Sequence, residues 1–217
     1  MEILDHYDTI NSNSEGLYKE KGSKFIAYAF PCKTTETFVK LIEQIKEKHP
    51  KSRHVCYAYR FGLNGTQFRY NDDGEPSGTA GRPIYNELLS QNLSDILVAV
   101  VRYFGGTKLG ATGLIRAYRA AASDSLINTK KITQYINSRM SIIYPIELMG
   151  QLYQIIKKND ISIVESHYEP KPKMIIECRN SIVEFVTKTI IANMHGYSLD
   201  EVDEGFESQL VKIEHIE

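Results

Sequence analysis

No stretch of the chain approaches the roughly 20 consecutive apolar residues of a membrane-spanning helix, and the sequence offers no candidate for one. The N-terminal Met1-Glu2-Ile3-Leu4-Asp5-His6 lacks the basic region and apolar segment of a secretory signal. Cysteine is scarce: Cys32, Cys56 and Cys178 are odd in number, far apart and form no Cys-x-x-Cys pair. Neither a zinc cluster nor a disulfide framework is expected, and a reducing, cytoplasmic setting fits best. A surplus of one charge is also missing, since 26 Lys and Arg face 27 Asp and Glu. A protein that binds nucleic acid mainly by bulk charge is usually more basic. The signatures His-Glu-x-x-His and Gly-x-Ser-x-Gly are absent, as are internal repeats and low-complexity tracts. No residue is therefore assigned a catalytic role, no cofactor is expected, and the sequence leans away from an enzyme.

What is present suffices for two domains: 217 residues, 42% of them apolar. Residues 15–31 read as two strands broken at Gly22-Ser23, with Ile26, Tyr28 and Phe30 on one face. Thr34-Thr35-Glu36 opens a helix carrying Phe38, Leu41, Ile42 and Ile45, and His49-Pro50 ends it. Strands over 55–61 and 66–70 flank Asn64-Gly65, the pair that best tolerates the positive φ angles of a type I′ hairpin turn. Residues 71–83 form a loop, and Pro83 suits the first turn of a helix whose apolar side is Ile84, Leu88 and Leu89. Residues 96–101 are continuously apolar, as in a central strand buried on both faces. A helix over about 109–126 places Leu114, Ile115, Tyr118 and Ala122 on one stripe.

The polar joint Thr129-Lys130-Lys131 divides residues 1–131 from 132–217. The second part reads as a strand over 141–146, a helix marked by Leu148, Leu152, Ile155 and Ile156, and strands over 161–166 and 174–178. A second helix carries Ile182, Phe185, Val186 and Ile190, His195-Gly196 ends it, and a strand over 209–213 closes the set. This is the ferredoxin-like βαββαβ order. The charge is divided as well. Residues 1–133 carry 18 Lys and Arg against 14 Asp and Glu, whereas residues 134–217 carry 8 against 13. The first part is the better candidate for binding anions.

Two stretches concentrate polar chemistry. In residues 72–83, Asp72, Asp73 and Glu75 offer oxygen ligands for a hard cation such as Mg²⁺. The following Ser, Gly and Thr residues offer hydroxyls and free N–H groups for an anion. An ordinary solvated loop with two turns is an equal reading, and the spacing does not match a calcium-binding EF-hand. In residues 101–118, a buried strand feeds a glycine-rich turn and then a helix, aiming N–H groups and the helix dipole at one spot. Gly105, Gly106 and Gly110 shape that turn, and Arg82, Arg102, Lys108 and Arg116 can add charge. The alternative is that these glycines serve a sharp turn and close packing, although Gly110 and Gly113, inside the helix, favour close packing or ligand approach. His54 and Cys56 share a strand face, but no third residue completes a Cys–His pair, and an ordinary sheet role is commoner.

Residues 72–83 and 100–110, together with Lys21-Gly22-Ser23-Lys24-Phe25 and the strand around His54, resemble the signature of the IMPACT/YigZ family, in its bacterial two-domain form. The resemblance implies an α+β chain: a ribosomal protein S5 domain 2-like first domain, then a ferredoxin-like domain similar to domain V of elongation factor G. It implies no RWD domain, which the eukaryotic members carry at their N-terminus. Those members regulate translation by competing for an activator of a stress-responsive initiation-factor kinase. A non-enzymatic, translation-associated regulator is therefore the favoured expectation. RNA or the ribosome would be bound through the first domain, with Tyr103 and Tyr118 available to stack bases. The alternatives are an Mg²⁺-dependent enzyme acting on a phosphorylated small molecule and a protein–protein module whose acidic second domain meets a basic partner.

Overall fold

The computed structural model describes residues 5–203 and 205–216. It separates into two compact units, one formed by His6–Gln134 and one running from Tyr135 onward, which Asp5 joins.

The first unit opens with β1 (His6–Ile10), β2 (Ser14–Glu20) and β3 (Ser23–Pro31). Helix α1 (Thr35–Lys48) follows, its N-terminus capped by the Thr34 side chain, which accepts from the Thr37 N–H. Then come β4 (His54–Phe61), β5 (Gln67–Asn71), α2 (Gly81–Ser90), β6 (Ile96–Tyr103), α3 (Gly110–Ile127) and β7 (Lys131–Tyr135). Five strands form an antiparallel sheet in the order β2-β3-β6-β4-β5, and β1 pairs with β7.

Strand β6 is central and explains its own composition. Ile96, Val98 and Val100 point into a core with Leu88 of α2 and Leu114 and Tyr118 of α3. Leu97, Ala99 and Val101 point the other way, into a core with Phe38, Ile42 and Ile45 of α1. With helices on both faces, every side chain from Ile96 to Val101 is buried. An unbroken apolar run is the result, in an antiparallel rather than a parallel setting.

The hairpin between β4 and β5 is longer than a two-residue turn. Residues 62–66 form it, with Asn64 and Gly65 both at positive φ, a conformation these residue types tolerate. The extra length wraps the buried Arg60 guanidinium, whose Nη2 donates to Asn64 O at 2.9 Å and Nη1 to Leu93 O at 2.7 Å. Two residues assigned to apolar stripes lie outside them: Leu89 and Ile115 are exposed. Strands β1 and β7 are additional to the sequence reading.

The second unit contains β8 (Asn137–Ile143), α4 (Met149–Lys158), β9 (Ser162–His167), β10 (Lys173–Arg179), α5 (Val183–His195) and β11 (Lys212–Ile216). The sheet order is β11-β8-β10-β9, all antiparallel. Met140, Ile142, Met174 and Ile176 pack against Leu152, Ile155, Val186 and Ile190 of the two helices. Strand β8 starts four residues earlier than the sequence suggests and ends at Ile143, ahead of the 3₁₀ turn that Pro145 begins. Strand β11 starts three residues later. Phe185 is exposed rather than in the core. Helix α5 ends at His195, and Gly196 takes the left-handed conformation with φ 73°.

Candidate anion-binding cleft

The glycine-rich turn after β6 is built by close packing. A Cβ on Gly105 would lie 1.8 Å from the Gly22 carbonyl carbon, in the β2–β3 turn. Only glycine fits there, and the Gly105 N–H donates to Ser23 Oγ at 3.2 Å. The chain then enters α3 through Gly110, whose φ of +71° places it at the helix start rather than inside it. The Leu109 N-cap supplies no side-chain hydrogen bond, and the first turn holds no acidic residue. The first N–H groups of α3 thus have no capping side chain to accept from them.

The carboxylates of residues 72–75 are each engaged by the protein itself. Asp72 Oδ1 accepts from the Ala80 and Gly81 N–H groups at 2.9 and 2.8 Å, and its Oδ2 from Gly78 N–H at 2.9 Å. Asp73 Oδ2 accepts from Val55 N–H at 2.7 Å. Glu75 Oε1 accepts from Arg102 Nη1 at 2.6 Å and from the Tyr118 hydroxyl at 2.9 Å. Among the described residues no group of three or more His, Cys, Asp or Glu is arranged to hold a metal ion. Of the N–H groups over residues 77–81, those of Gly78, Ala80 and Gly81 donate to Asp72, and that of Thr79 donates to Pro76 O at 3.1 Å.

Beneath the cleft lies a buried polar chain. The Cys56 thiol lies 3.0 Å from Asp72 O and 3.4 Å from the Tyr118 hydroxyl. Burial pushes the Cys56 thiol and the Tyr118 phenol far above their ordinary values. Neither supplies a nucleophile near neutral pH. His54 is engaged elsewhere, its Nδ1 donating to Asp73 O at 2.6 Å. A carbonyl only accepts, so Nδ1 carries the proton it donates. The Cys–His pairing therefore does not form. Tyr118 is core, not a stacking surface, and the Tyr103 hydroxyl is held 2.8 Å from His49 Nδ1.

Arg102 settles into this chain. Its side chain is only 10% exposed, and its guanidinium lies 5.6 Å from the Phe25 ring centre and 5.5 Å from that of Phe104. Nη1 is engaged by Glu75, but Nε is buried without a partner. Above it opens a cleft of about 860 Å³, bordered by Lys51, Arg53, His54, Phe104 and Lys108. Gly110 and Ala111 bring the start of α3 to the same cleft. Lys51, Arg53 and Lys108 are exposed.

Of the residues singled out in the sequence, His54, Glu75, Arg102, Tyr103, Lys108 and Gly110 meet here. Arg82, Gly105, Gly106 and Arg116 do not line the cleft. Arg82 is exposed on α2, and Arg116 is paired with Glu20. Lys51 and Arg53 were not anticipated. The signal for them is the antiparallel register, which sets His54 of β4 opposite Arg102 of β6. The basic segment entering β4 therefore lies beside the segment leaving β6.

Residues 21–126, which contain the whole cleft, match the Impact N-terminal domain. The chain is also 34% identical over 166 residues to the IMPACT family member YvyE of Bacillus subtilis, covering 76% of each protein. The chain belongs to the IMPACT family. The family member YigZ of Escherichia coli is 31% identical over 153 residues, covering 69% of this chain and 74% of that one. A protein IMPACT homolog of Dictyostelium discoideum is 30% identical over 120 residues, covering 53% of this chain and 34% of its own length. A crystal structure of a hypothetical protein superposes with a TM-score of 0.66 over 99% of both chains at 22% identity, a likeness of fold alone.

Proposed function

We propose that this IMPACT family protein is a non-enzymatic regulator associated with translation, and that its first unit binds RNA through the cleft between β4, β6 and α3. One observation carries the reading. Four cationic side chains, Lys51, Arg53, Arg102 and Lys108, border one cleft with a single carboxylate, Glu75, that is already paired. Such a site attracts phosphate by charge and by the uncapped helix start together. Burial raises the Cys56 thiol and the Tyr118 phenol above their ordinary values, which favours binding over nucleophilic chemistry at these two side chains. Family membership supplies the translational setting.

The finer fold reading belongs with this proposal. The strand order β2-β3-β6-β4-β5 with its helices supports an S5 domain 2-like first unit, and the order β11-β8-β10-β9 supports a ferredoxin-like second unit. The test is co-sedimentation with ribosomes over a salt series, comparing the native chain with Arg53→Ala/Lys108→Ala. Salt-sensitive binding that the variant loses is the expected result. Binding that is indifferent to salt, or equal in the variant, contradicts the proposal.

A further inference from the structure

We propose that the cleft is selective for a nucleotide's phosphomonoester group, with the attached base stacked on Phe104; this rests on the reading of the cleft as the RNA-binding surface. Size is the first argument. A cleft of about 860 Å³ falls in the range of roughly 300–1,000 Å³ that holds single small molecules. It accommodates a nucleotide or a strand end, not a duplex.

Charge is the second. Lys51, Arg53, Arg102 and Lys108 face one compensating carboxylate, Glu75. That excess matches a phosphomonoester, which carries about −1.5 to −2 near neutral pH, better than the single charge of an internal phosphodiester. The third argument is the wall of the cleft. Arg102 lines the cleft with its side chain nine-tenths buried and its guanidinium held in place by Glu75, a fixed charge in the wall. The start of α3 at Gly110 and Ala111 borders the same space with no side-chain cap and no acidic residue in its first turn. A Cβ on Gly110 would meet nothing within 4 Å, so the space beside the helix start is open. The fourth is Phe104. The residue is 58% exposed and borders the cleft, and the Arg102 guanidinium lies 5.5 Å from its ring centre. An exposed aromatic beside cations is a stacking platform for a base of any identity.

Two sources share this chemistry, a free nucleotide and the phosphorylated end of an RNA strand. The experiment measures affinity for a short single-stranded RNA bearing a 5′-phosphate, the same RNA with a 5′-hydroxyl, and adenosine monophosphate as competitor. The native protein should prefer the phosphorylated RNA by about tenfold, the scale of one or two charge-assisted hydrogen bonds. The preference should vanish in Ala111→Glu, whose carboxylate takes the anion's place at the helix start, and fall in Lys108→Ala. Because an acidic residue in the first turn favours the helix, Ala111→Glu should keep or raise the melting temperature, so lost binding is not lost folding. Competition by the mononucleotide at concentrations matching the RNA affinity identifies the free nucleotide as a ligand; weak competition identifies the strand end. Equal affinity for the two RNAs overturns the inference while leaving RNA binding in place. A preference that survives Ala111→Glu overturns it as well. Binding to none of the three probes overturns both this inference and the reading beneath it.

Discussion

Replacing Glu75 by Gln should destabilise the first unit by about 3 kcal/mol. The Glu75 carboxylate is 4% exposed and receives both the Arg102 guanidinium at 2.6 Å and the Tyr118 hydroxyl at 2.9 Å. The amide is nearly isosteric and still offers an oxygen, so packing changes little. What is lost is the charge that compensates Arg102. Removing one partner of a buried pair costs about 3–5 kcal/mol, because the other charge remains desolvated. Arg102 borders an open cleft, so the lower end of that range applies. For a chain of this size the loss corresponds to a fall of about 6–12 °C in melting temperature. Far-UV circular dichroism is a suitable probe, since the chain has no tryptophan. Hydrogen exchange in β6 and α3 would assign the change to the first unit. The cycle Glu75→Gln, Arg102→Met and the double variant separates the pair from its parts, with about 2 kcal/mol of coupling expected. A single variant within about 0.5 kcal/mol of the native protein would refute the buried ion pair as a structural element.

Other consequences follow from the same geometry. Gly105→Ala should cost about 3 kcal/mol or more by urea denaturation, because its Cβ would lie 1.8 Å from Gly22 backbone. Gly106→Ala, at φ +88° with open space around it, should cost only the backbone penalty of about 1–2 kcal/mol. Burial holds the His49 imidazole below its ordinary value of 6.5, with Lys48 adding to the effect. The unfolded chain therefore binds that proton first, so the His49 contribution to stability is complete above pH 6.5 and declines as pH falls below it. His49→Gln should flatten that part of a stability–pH profile. Arg116→Ala should leave RNA affinity unchanged, as Arg116 pairs with Glu20 and does not line the cleft; a loss equal to that of Lys108→Ala would contradict the placement of the site.

The core was legible where composition reports burial directly. The apolar run at 96–101 could only be a strand covered on both faces, and Thr34, Pro83 and Gly196 announce helix ends through capping and φ preference. Strands β1 and β7 were not legible because each is five residues long with polar side chains alternating among few apolar ones. Leu89, Ile115 and Phe185 carry apolar side chains on exposed positions, which periodicity alone cannot distinguish from core. At the site, residue types were readable but partnerships were not. Glu75 and Arg102 are 27 residues apart and meet only because the 72–83 loop folds back over the end of β6. Asp72 and Asp73 looked like ligands because short-range sequence cannot show that backbone N–H groups already occupy them. Lys51 and Arg53 became visible once the β4–β6 register was known.

The most direct test of RNA binding in the cleft is hydrogen exchange of the first unit with and without single-stranded RNA. Slowed exchange at the amides of 110–113 and in residues 51–54 and 102–108, lost in Lys108→Ala, is the predicted result. Protection confined to residues 135–216, or none at RNA concentrations that saturate binding, would contradict it.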